Sequence, residues 1–211
     1  MKRRRRSPPI ILSIHRLFSR AGFWIDRLRA LPVRWALRGS GRGLVLRRGL
    51  RINHPECVSL GDGVHIGEFC WISMLPVNRQ TDAPDVALAP HLSVGANTYI
   101  GRMATFACMN EVRIGSDVMI ADRVFIGDCL HGYSDRRLPI KDQYMFSPGP
   151  VSIGDNSWLG VNVSVMPNVK IGRHCVIGAN SVVTRDVPDY SVAAGVPAKI
   201  LDKSDKEPAP R

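Results

Sequence analysis

No pair of cysteines in this chain is spaced as CxxC, and the five present, Cys57, Cys70, Cys108, Cys129 and Cys175, are an odd number. That pattern speaks against a disulfide framework and against the paired thiolates of a zinc ribbon or redox dithiol, and it suits a reducing, cytoplasmic compartment. The six histidines, His15, His54, His65, His91, His131 and His174, show no two-ligand spacing, so no metal is expected. No apolar run approaches the roughly 20 residues of a membrane-spanning helix. A secretory signal is not expected, because His15, Arg16 and Arg20 interrupt the first apolar stretch. Net charge is nearly absent beyond the start: residues 1–48 hold 14 Lys/Arg against one Asp, a net +13, which leaves −2 for the rest of a chain whose net charge is +11.

Helical periodicity is lacking toward the C-terminus as well. In VSIGDNSWLGVNVSVMPNVKIGRHCVIGANSVVT, residues 151–184, Ile153, Leu159, Val165, Ile171, Ile177 and Val183 recur every sixth position. Six is a multiple of two, so short strands ending on these residues keep them all on one side. Positions two earlier share that side and should be small if the interior is narrow; they are Ser157, Val163, Val169, Cys175 and Ser181. Gly154, Gly160, Gly172 and Gly178 are expected at the corners, with Asp155, Asn156 and Asn180 as further turn residues. Three six-residue sides close a triangle, and successive 18-residue coils stack by parallel strand pairing.

The ladder extends upstream through Leu60, Ile66 and Ile72, then Val94, Ile100 and Phe106, then Ile114, Ile120 and Ile126. With the two C-terminal sets it predicts an all-β fold of about five coils. It is interrupted at 74–93, at 112–113 and at 132–152, and long excursions from a regular solenoid are where function is usually placed. The expected organisation is a basic amphipathic helical segment over 1–48, the solenoid over 49–201 and a disordered tail over 202–211.

This repeat resembles the hexapeptide acyltransferases. GDCLHGYSD at 127–135, the run at 150–172 and SVVTRDVPDYSVAAGVPAKIL at 181–201 are similar to the branch of galactoside, maltose and nodulation-factor O-acetyltransferases and colanic-acid-type polysaccharide acetyltransferases. The resemblance implies a left-handed parallel β-helix, a homotrimer with sites in the clefts between prisms, and transfer from acetyl-CoA to a sugar or polysaccharide hydroxyl. Alternatives are a serine or amino-sugar acyltransferase on the same fold, and a non-catalytic scaffold.

His131 matches the family's general base. Attack of a hydroxyl on a thioester requires loss of the hydroxyl proton, and imidazole titrates near neutrality. Direct transfer needs no acyl-enzyme, so no cysteine is required. Three groups are candidates to orient the ring: Glu111, which holds the same place in the hexad beginning at Phe106, one coil away, that His131 holds in the hexad beginning at Ile126, Asp135 in GYSD, or a backbone carbonyl. Asn110 resembles a region that binds the acceptor sugar. On the donor side the resemblance implies acetyl-CoA contacts at Val161 and Ala179, stacked 18 residues apart, and at Thr184, Arg185 and Lys199, whose cations suit the coenzyme's phosphates. A corner N–H near Gly160 is a candidate oxyanion donor. Trp158, predicted to face outward, needs cover that a trimer would supply.

The head begins MKRRRRSPPIILSIHRLFSRAGFWIDRLRALPVRW. Ile11, Ile14, Leu17 and Phe18, then Trp24, Ile25, Leu28 and Leu31, fall at helical spacing between arginines. Packing on the open end of the solenoid, peripheral contact with the anionic inner face of the membrane, where lipid-linked saccharides would be met, and nucleic-acid binding all remain open. The last is disfavoured because no reading element accompanies the charge.

Overall fold

The computed structural model describes residues 25, 28, 30–78 and 86–203. Strands return to three sheets in strict rotation, as a six-residue side demands. The first face carries Gly39–Ser40, Val58–Leu60, His91–Val94, Glu111–Ile114, Val151–Ile153 and Lys170–Ile171. The second carries Val45–Leu46, His65–Ile66, Tyr99–Ile100, Met119–Ile120, Trp158–Leu159 and Val176–Ile177, followed by Ser191–Gly195 and Ala198–Lys203. The third carries Arg51–Ile52, Trp71–Met74, Thr105–Cys108, Phe125–Gly127, Ser164–Val165 and Val182–Val183. Pairing within the faces is parallel, except that the last two strands of the second face form an antiparallel hairpin.

The register stacks like on like: Ile66, Ile100, Ile120, Leu159 and Ile177 are successive partners on the second face. All fifteen aliphatic or aromatic positions of the ladder are buried, and so are Ser157, Val163, Val169, Cys175 and Ser181. The small hydroxyls are satisfied inside, with Ser157 Oγ donating to Gly172 O at 2.9 Å and accepting from the Cys175 N–H at 3.0 Å.

Three expectations are revised. The ladder starts one rung earlier than expected on every face, because Ser40, Leu46 and Ile52 pair with Leu60, Ile66 and Ile72. The boundary drawn after residue 48 therefore falls inside the first rung. The corner glycines do not supply the turn: the left-handed residues are Asn156, Asn162, Asn168, His174 and Asn180, with φ of 56° to 61°. Glycine is needed for close stacking, since a Cβ on Gly160 would lie 2.7 Å from the Ala179 nitrogen in the next coil. Finally, Val112 is fully buried and pairs with Leu92 and Val151, so the two extra residues widen the preceding corner at Met109–Asn110 instead of bulging at 112–113.

Residues 30–36 are helical and close the open end of the stack, with Ala30 and Leu37 buried and Val33 packed on the core. The Arg38 N–H donates to Pro55 O at 3.3 Å, tying the helix exit to the first rung. At the other end, strand Ala198–Lys203 includes the first two residues of the expected tail, and 204–211 lie outside the described residues. No helix among the described residues is long and apolar enough to cross a membrane.

Candidate active site

The chain leaves the third face after Gly127, and the next residue, Asp128, is fully buried. Its carboxyl group accepts the backbone N–H groups of Met109 at 2.8 Å, Asn110 at 2.8 Å and Glu111 at 2.6 Å. Asp128 thus fixes the widened corner of one coil to the exit point of the next. Strand Leu130–His131 then pairs antiparallel with Met145–Phe146, His131 facing Met145, and the Gly132 N–H reaches Tyr144 O at 2.7 Å. The excursion between them is stapled by the buried Gln143, whose Nε2 donates to Asp135 O at 2.9 Å and Leu138 O at 3.1 Å.

His131 is exposed on the wall of a cavity of about 460 Å³, shared with Asn53, His54, Met74, Leu75, Pro76, Met109, Lys141, Gln143 and Met145. Asn53 is locked by two bonds to Met74, its Nδ2 donating to the carbonyl at 3.0 Å and its Oδ1 accepting the N–H at 2.8 Å. His54 is held by Glu56, Nδ1 to Oε1 at 3.0 Å. The walls are therefore thioether and aliphatic, with imidazole, amide and ammonium groups between.

None of the three groups expected to orient His131 is bonded to it. Glu111 forms an ion pair with Arg113 at 2.6 Å, side by side on the first face. Asp135 is gripped by Arg137 through Nε and Nη2 at 2.9 and 2.7 Å, which together with the Arg137 N–H holds its carboxyl down to about 2. The His131 ring makes no hydrogen bond to any described side chain or carbonyl, which leaves both ring nitrogens open to the cavity. The amide of Asn110 is exposed at the corner that Asp128 holds.

Of the residues expected to meet acetyl-CoA, Gly160, Val161 and Ala179 occupy one corner between the second and third faces, and Val161 O accepts the Asn180 N–H at 2.8 Å. The Gly160 N–H is already donated to Ile177 O at 2.8 Å, so it is not a free oxyanion donor. A ladder not foreseen from the sequence runs along this corner: Arg123 Nε to Asn162 Oδ1 at 2.7 Å, and Asn162 Nδ2 to Asn180 Oδ1 at 2.8 Å. Thr184 and Arg185 are exposed just after the last strand of the third face, and Lys199 is exposed on the closing hairpin opposite Ala194. Neither Arg185 nor Lys199 makes an ion pair with a described residue, so both are available to an anion. His131 and the Gly160 corner lie at opposite edges of the third face, and one chain does not bring them together.

All five cysteines are free thiols. Burial raises Cys70, Cys108 and Cys175 and pushes Cys129 up to about 11, so these thiols are protonated at neutral pH and poor nucleophiles. Among the described residues no group of three or more His, Cys, Asp or Glu could hold a metal ion.

Residues 150–185 match the bacterial transferase hexapeptide (six repeats) family. The chain is 30% identical over 168 residues to galactoside O-acetyltransferase of Escherichia coli K12, covering 76% of each protein. It is 38% identical over 148 residues to a Mycobacterium tuberculosis protein described as a probable acetyltransferase, covering 68% of this chain but 49% of that one, so it spans about half that relative's length. Among solved structures, AntD, an N-acyltransferase from Bacillus cereus in complex with dTDP and 3-hydroxybutyryl-CoA, shares the fold with a TM-score of 0.68 at 18% identity, covering 83% of this chain and 87% of that one. Three stacked parallel faces built on a six-residue step carry the repeat that the family model matches. This chain belongs to the hexapeptide-repeat acyltransferase family.

Proposed function

We propose that the protein is an O-acetyltransferase that moves an acetyl group from acetyl-CoA to a hydroxyl of a sugar or polysaccharide precursor. The observation that carries this reading is the exposed, unbonded His131 ring on the wall of a cavity large enough for a saccharide unit. His131 takes the acceptor proton as the oxygen attacks the thioester carbonyl; a C–O bond forms, the C–S bond breaks, and the proton passes to the departing thiolate. With the buried thiols protonated, direct transfer is favoured over an acyl-cysteine. Arg185 and Lys199 meet the coenzyme's phosphates, and the stacked Val161–Ala179 corner lines its pantetheine arm.

The left-handed winding and the trimer belong to this proposal. Separation of His131 and the Gly160 corner across the third face supports a site closed by a neighbouring copy. The apolar, thioether-rich cavity wall favours an acceptor with an apolar aglycone or lipid carrier over a free, fully hydrated sugar.

The test is thiol release from acetyl-CoA across soluble sugars, amino sugars, serine and lipid-linked saccharides, comparing wild type with His131→Ala. The expected loss is about 10²-fold or more in kcat with acetyl-CoA affinity unchanged, the size of a general-base contribution. A variant retaining more than about a tenth of the rate removes His131 from that role. Preferential turnover of amines would replace the O-transfer reading with N-transfer.

A further inference from the structure

We propose that the outward side of the N-terminal helix is a docking surface for an anionic lipid bilayer. The helix has two apolar sides. Ala30, Val33 and Leu37 face the end of the stack, as their burial shows. At about 100° per residue, Leu28, Leu31 and Trp35 cluster within roughly 60° on the opposite side. They are 62%, 48% and 92% exposed, and Ile25 beside them is 48% exposed. The second stripe is left largely in the open.

Charge selects the occupant. Residues 1–48 carry 14 Lys/Arg and one Asp, and Arg34 and Arg38 flank Trp35. A second copy seated on this stripe would press two strongly cationic segments together, whereas protein interfaces are depleted of charge at their centres. A bilayer with anionic headgroups offers opposite charge and apolar depth at once. An indole and leucines among arginines is the composition of a helix lying in the headgroup plane. Nucleic acid would use the arginines and leave the leucines in water.

Position adds a consequence that rests on the proposed transfer reaction. Arg38, at the helix exit, is bonded through its N–H to Pro55 O, and Asn53 and His54 just before Pro55 line the His131 cavity. Docking by this helix sets the acceptor cavity beside the lipid surface, where a lipid-linked saccharide presents its sugar.

The measurement is co-sedimentation of the full chain with vesicles of phosphatidylglycerol and phosphatidylcholine, and of phosphatidylcholine alone. Truncation is unsuitable because residues 39–48 build the first rung. Binding is expected to the anionic vesicles only, and to fall as salt rises from 0.1 to 1 M and screening shortens from about 10 to about 3 Å. Leu28→Glu and Trp35→Glu should each weaken partitioning about tenfold or more, since each takes a large apolar side chain out of the lipid, with thermal midpoint and oligomeric mass unchanged. Wild-type partitioning of both variants overturns the proposal. So does a change in their oligomeric mass, which would make the stripe a contact between copies, or binding to nucleic acid without binding to vesicles. No acetyl transfer is read, so the result stands apart from the outcome at His131.

Discussion

Asp128 shows how one residue can position a site without touching its chemistry. It follows the last third-face residue and precedes His131 by three, and a lone acid in a turn-rich segment carries no spacing signal, whereas Glu111 and Asp135 stand out by register and motif. Its burial without a cationic partner among the described residues is tolerated because three backbone N–H groups converge on it. Asp128→Ala leaves those donors unpaired and is expected to cost on the order of 3–5 kcal/mol, against a smaller loss for Asp128→Asn, which retains one acceptor oxygen. Chemical denaturation measures the first effect. A fall in kcat at unchanged acetyl-CoA affinity measures the accompanying displacement of His131. Equal stability of the alanine variant and wild type would show that water replaces the carboxyl group and that the corner stands alone.

At the scale of elements, what was legible was whatever obeyed the six-residue step. Fifteen interior positions, three faces and parallel stacking follow from that step because inward and outward alternation survives any even period. The first rung was hidden because Ser40 stands where an aliphatic was sought and because the 3-10 turn Pro55–Cys57 stretches the interval from Ile52 to Leu60 to eight. Glu111 fails for a different reason: it precedes His131 by the same 20 residues that separate Phe106 from its partner Ile126, but the register ends at Gly127, and the strand of Glu111 stacks on Val151–Ile153 beyond the excursion that carries His131 away. The partners of the excursion were illegible, since Gln143 and Arg137 act through loop geometry with no period. That excursion yields a pH prediction. The Arg137 guanidinium depresses Asp135, so the contact's contribution is complete above the ordinary aspartate value near 4 and is lost as pH falls toward about 2. Pepsin cleavage within 132–150 is expected to rise across that window in wild type, and Arg137→Ala should be cut readily at pH 4 already. Identical cleavage profiles would assign the order of the excursion to Gln143 alone.

The whole molecule presents three unlike sides. Outward positions of the first face are polar, Ser59, Ser93, Arg113, Ser152 and Lys170, as a face in water requires. On the second face Tyr99, Met119 and Trp158, 43%, 50% and 47% exposed, are register partners on adjacent rungs, with His65 before them and Val176 after. Rungs are about 4.8 Å apart, so these side chains form one continuous apolar stripe along the prism, the kind of patch that marks an interface. In the proposed trimer this stripe packs against the next prism and brings its donor corner toward a neighbour's His131. Met119→Glu with Trp158→Glu places two carboxylates in that contact while leaving the exposed positions of an isolated prism free of strain. The double variant is expected to fall from trimer to monomer by light scattering, to keep its β-rich circular dichroism, and to lose acetyl transfer by at least about 10²-fold, because neither half of the divided site acts alone. A monomer that still transfers acetyl groups at the wild-type rate would place donor and base within one chain, and a variant that remains trimeric would move the interface to another face.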